Sequence, residues 1–60
     1  MDNYFVRIYA PGRLLFSLGF NRLEDALNCY EWHKDTKQLR GAYLYGLTNT
    51  SGQVIRAHSV

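Results

Sequence analysis

Chemistry in a short chain has to come from a few reactive side chains, and the candidates here are Cys29, His33 and His58, with the carboxylates Glu24, Asp25 and Glu31. Cys29 and His33 are four residues apart, the spacing that puts two side chains on one side of a helix. They could form a thiolate–imidazole pair or two metal ligands, with His58 as a third. Scattered ligands of this kind are not a metal motif. The simpler reading makes Cys29 a small residue at the edge of a core and His33 a solvated cation at a helix end. Glu24 and Asp25 fall where a helix would begin, and acids are favoured there because they oppose the helix dipole. No glycine-rich phosphate loop joins a strand to a helix, since Gly19 stands alone. The sequence therefore predicts no catalytic residue, no metal, no cofactor and no enzymatic function.

Composition narrows the classes further. The chain has 60 residues, seven Lys or Arg against five Asp or Glu, and a net charge of +2. A chain of this length buries about 60% of its unfolded surface and has room for one small core, so residues 1–60 read as a single domain. The one Cys cannot form an internal disulfide, which suits a reducing compartment. The N-terminus lacks the apolar run of a signal peptide, and no stretch approaches the ~20 residues of a membrane span. The expected location is cytoplasmic, with no membrane contact. Small unstapled domains often gain stability by associating, so a homodimer is expected.

Two apolar runs, Tyr4 to Ala10 and Leu14 to Leu18, flank Pro11-Gly12-Arg13 and predict a β-hairpin. Val6 and Ile8 should share a face with Leu14, Phe16 and Leu18, which calls for a three-residue, bulged loop around Pro11-Gly12. A helix is expected from about Arg22 to about Lys34. Asn21 would be its N-cap, Glu24 would complete a capping box, and Leu23, Ala26, Leu27 and Tyr30 would form its apolar stripe. Asn49-Thr50-Ser51-Gly52 then reads as a type I turn with a left-handed Gly bulge, joining two last strands. Pairing Asn49 with Gln53 sets Leu47 opposite Ile55 and Tyr45 opposite Ala57 beneath the helix. The fold class is α+β, in the order ββαββ, with one helix packed on one face of a four-stranded, mainly antiparallel sheet of order 2-1-3-4.

One helix covers one face, so the other should expose Phe5, Arg7, Tyr9, Leu15, Leu44 and Val54, together with Arg56 and His58. Aromatic and Arg side chains on an open sheet suit a protein interface or stacked single-stranded bases. Trp32 lies opposite the apolar stripe. It is a further binding candidate if the helix extends past it, and a cover for Leu39 or the sheet edge if the helix frays first.

Lys34, Lys37 and Arg40 form the one local basic cluster, the place where nucleic acid would touch. A nucleic-acid face usually carries a denser basic patch than Arg7 and Arg56 supply. The expected partner is therefore protein, including a second copy of the chain, with Phe5, Arg7, Tyr9, Leu15, Arg56 and Trp32 as partner-binding residues. Single-stranded nucleic acid is the alternative. By size and plan the chain looks like the small inhibitors and adaptors encoded by phages and other mobile elements, including those that block host defence complexes. That likeness concerns plan alone.

Overall fold

A computed structural model describes residues 2–60. The elements run β1 (Tyr4–Ala10), β2 (Arg13–Phe20), α1 (Leu23–Thr36), β3 (Leu44–Asn49) and β4 (Val54–Ser59). The four strands form one antiparallel sheet of order β2-β1-β3-β4, and α1 lies against the face built by the three strands β1, β2 and β3. This is the α+β, ββαββ arrangement expected from the sequence. No helix of the described residues is long and apolar enough to cross a membrane.

The core explains the order. Central β1 alternates strictly, with Val6 and Ile8 fully buried and Phe5, Arg7 and Tyr9 on the opposite face. Val6 pairs with Leu18 and Leu47, while Ile8 pairs with Phe16 and Tyr45. Ala26 and Tyr30 of α1 close over this row. Burial of each large apolar side chain contributes about 1.5–3 kcal/mol, so the row of Val6, Ile8, Tyr45 and Leu47 dominates the stability of so small a domain.

The first hairpin meets its register requirement by another route than the expected three-residue loop. Ala10 pairs with Arg13 across a two-residue turn, Pro11-Gly12, with Gly12 at φ 79°. A straight continuation would set Ile8 opposite Leu15. Instead the register shifts between Ile8 and Tyr9, Leu15 becomes the extra residue of a bulge, and Ile8 meets Phe16. The consequence falls on Leu14. It pairs with Tyr9 on the open side and is 50% exposed, rather than sharing the core face.

The second hairpin closes as expected, with the Asn49 N–H donating to the Gln53 carbonyl (3.1 Å) and Gly52 at φ 82°. Asn49 Oδ1 also accepts from the backbone N–H groups of Ser51 and Gln53, both at 3.0 Å. Beyond the turn the expected register fails. Thr48 pairs with Val54 but Leu47 pairs with Arg56, which leaves Ile55 as a second bulge residue. Ile55 still packs against the core, but Arg56 and His58 change faces and lie on the helix side, paired with Leu47 and Tyr45. Ala57 pairs with Gly46 on the open side.

The helix starts one residue later than expected and ends two residues later. Arg22 is the N-cap and makes no side-chain cap hydrogen bond, so the Asn21–Glu24 capping box is not formed. Asn21 instead offers its carbonyl to the Asn3 side-chain amide (3.1 Å), which ties the helix start to the residue just before β1. The C-terminus closes on Lys37 in the left-handed region (φ 52°), its N–H donating to the His33 carbonyl at 3.0 Å. Glycine usually takes that position.

Nothing lies within 4 Å of a Cβ built on Gly52, so a side chain there would pay only for backbone conformation. Gly52→Val should lower the unfolding free energy by more than about 1 kcal/mol, because a β-branched residue resists positive φ. Gly52→Asn should cost less, since Asn tolerates that region. Chemical denaturation of the two variants beside the parent checks both the order and the size.

Candidate functional site

The open face is organised around Tyr9. Arg7 projects beside it on β1, with its guanidinium carbon 4.8 Å from the centre of the Phe5 ring, a cation–π pair formed on the surface. Tyr9 pairs with Leu14 on one side and Leu44 on the other, and these three with Gly12, Arg13 and Tyr43 line a shallow, open groove at the turn end of the sheet. Phe5, Arg7, Tyr9, Leu15 and Leu44 are each half-buried. They are therefore partly held by their neighbours while keeping a free surface.

Of these groove residues, Leu14 is expected from the sequence on the core face, and Arg13 and Tyr43 are not among its site candidates. The two-residue Pro11-Gly12 turn brings Leu14 beside Tyr9, and the bulge at Leu15 restores the core register beyond it. Its only signal in the sequence is the mismatch between a two-residue Pro-Gly turn and the core register. Arg56, expected here, turns instead to the helix side of the sheet, opposite Leu47, and is exposed. It is close enough to Tyr30 for its charge to act on the phenol, whose ionisation burial pushes up while Lys34 and Arg56 pull it down. His58 likewise sits 6.1 Å, ring to ring, from Tyr45. Among the described residues Arg7 is left as the one cation on the interior positions of the open face.

Trp32 lies within the helix and is 53% exposed, so the indole does not fold back over Leu39. It meets His33 edge-on at 4.9 Å, and His33 in turn lies 4.5 Å from the Phe16 ring. His33 is thus no solvated cation. It is wedged between helix and sheet, its Nδ1 is buried without a hydrogen-bond partner, and desolvation lowers its pKa. Cys29 packs partly against the core, and burial pushes its thiol above the ordinary range. A raised thiol pKa is the opposite of what nucleophilic catalysis needs. Among the described residues no three His, Cys, Asp or Glu side chains come close enough to hold a metal ion.

The basic cluster divides among separate duties. Lys34 pairs with Glu31 at 3.1 Å, a hydrogen bond that raises the lysine pKa, while Lys37 caps the helix through its backbone and Arg40 is exposed in the loop beyond. Set against protein-family models, curated proteins and solved structures, the chain matches none.

Because the folded pKa of His33 lies below its unfolded value of about 6.5, the unfolded chain binds the proton more tightly. Its contribution is complete above that pH and is lost as the pH falls through the lowered folded value. Denaturation midpoints should therefore drop between about pH 7 and pH 5, and His33→Phe should flatten that drop. An unchanged drop in the variant would assign the dependence to other groups.

Proposed function

We propose that this chain is a non-enzymatic interaction module that binds another protein through the open sheet face, with Tyr9 at the centre and Phe5, Arg7, Leu14 and Leu44 around it. The observation that carries this reading is the pairing of Tyr9 between Leu14 and Leu44 beside the Arg7–Phe5 pair, on the face opposite the helix. Tyr and Arg are, with Trp, the residues most enriched at interface hot spots, and their energy is greatest where neighbours exclude water from around them. A binder without chemistry of its own acts by occupying or bridging its target, which is the role of an inhibitor or adaptor.

The charge distribution favours protein over nucleic acid as the partner. Binding single strands releases counterions in proportion to the phosphates neutralised. With Arg56 on the helix side and Lys34 engaged by Glu31, the open face keeps Arg7, while Arg13 lines the groove at its turn end.

Affinity capture from the cells that make the protein, with and without nuclease, separates the two classes. A protein partner should survive nuclease. Tyr9→Ala should weaken its binding by roughly thirtyfold, the effect of losing about 2 kcal/mol at a central anchor. Arg56→Ala should leave it nearly unchanged. Loss of the partner on nuclease treatment, together with micromolar affinity for mixed single strands at physiological salt, would overturn the reading.

A further inference from the structure

The two outer edges of the sheet differ in a way that points to a second copy of the chain. β4 carries a bulge at Ile55 and the polar side chains Arg56 and His58, features that blunt an edge against unplanned pairing. β2 carries a bulge too, at Leu15, and a charge at its first residue, Arg13, but from Phe16 to Phe20 it pairs regularly with β1 and has no charged residue. An uncharged stretch with a free backbone edge is a template for pairing. We propose that β2 pairs antiparallel with β2 of a second copy, across a twofold axis at Leu18, to make one continuous eight-stranded sheet.

Sequence, backbone direction and exposure agree on that register. The segment Phe16-Ser17-Leu18-Gly19-Phe20 is symmetric in character about Leu18. Antiparallel pairing centred there sets Leu18 opposite Leu18, Phe16 opposite Phe20 and Ser17 opposite Gly19. The Asn3 N–H donates to the Phe20 carbonyl at 2.9 Å, so Phe20, and by alternation Leu18 and Phe16, turn their backbone groups toward β1. Ser17 and Gly19 turn theirs outward. In the proposed register these form the hydrogen-bonded pairs, while Leu18 meets Leu18 at a non-hydrogen-bonded pair, where facing side chains approach most closely.

Leu18 lies on the helix side of the sheet, opposite buried Val6, yet is 48% exposed. One helix does not reach it, and a second Leu18 would. The chain of rings from Phe16 through His33 to Trp32 links the exposed indole to Phe16, the residue that Phe20 of the second copy would face. The Asp2 carboxylate occupies the space where a Gly19 side chain would project, so it faces the Ser17 hydroxyl of the second copy, an acceptor beside a donor. The expected homodimer is thereby moved from the open face to the β2 edge, and the Tyr9 groove stays free for a different partner.

Sedimentation of the full chain from low to high micromolar concentration tests the pairing. The parent should move from 7.0 kDa toward twice that mass. Leu18→Glu and Leu18→Lys, each placing like charges opposite each other at the axis, should each raise the dissociation constant by roughly tenfold or more. An equimolar mixture of the two should restore dimers, which also shows that both variants are folded. Tyr9→Ala should dimerise like the parent. A parent that stays at 7.0 kDa throughout, a Leu18→Glu chain that dimerises as well as the parent, a mixture that restores nothing, or loss of the dimer in Tyr9→Ala would each overturn the proposal.

Discussion

The structure depends on keeping Val6 and Ile8 of the central strand beneath the helix, with Phe16 and Leu18 on one side and Tyr45 and Leu47 on the other. A slip of one residue would turn Val6 and Ile8 to solvent and drive Phe5, Arg7 and Tyr9 toward the core. Burying Arg7 there without a partner would cost several kcal/mol after relaxation. A bulge costs about one net ladder hydrogen bond, on the order of 1 kcal/mol. The comparison explains why both hairpins accept a bulge: each local irregularity is cheaper than a misplaced core.

The same constraint produces the two unlike faces. Once Val6, Ile8, Tyr45 and Leu47 are committed to α1, the alternate residues have no second layer to meet. Tyr9, Leu14 and Leu44 are left to cover one another. The edges diverge for a related reason. On β4 the bulge lets Ile55 reach the core while Arg56, exposed on the helix side, donates from its guanidinium to the Ile55 carbonyl at 2.9 Å. β2 has a further apolar residue, Leu18, facing the side that α1 covers only in part.

Much of the fold was legible because it is written in local chemistry. Pro11-Gly12 and Asn49 to Gly52 are turn sequences, Ala26, Leu27 and Tyr30 recur at helical spacing, and β1 alternates. What could not be read were the one-residue insertions. Nothing in Val54-Ile55-Arg56-Ala57-His58 says that Ile55 is unpaired, because straight alternation and bulged alternation both place an apolar residue near the core. That ambiguity misplaced Arg56 and His58. The helix end was hidden for another reason: the left-handed cap is supplied by Lys37 instead of glycine, so Trp32 fell in an apparent last turn when α1 continues to Thr36. From the sequence His33 reads as a surface cation, because its contact with Phe16 is set by how α1 sits on β2, a tertiary fact with no sequence period.

Nuclear Overhauser contacts across the sheet test the register, and with it the division of the two faces, most directly. The bulged register predicts contacts from the His58 ring to the Tyr45 ring, and from the Tyr9 ring to the methyl groups of both Leu14 and Leu44. Contacts from the His58 ring to the Leu44 methyls, with none to Tyr45, would show that β4 runs without its bulge and that Arg56 belongs to the open face, contradicting the account.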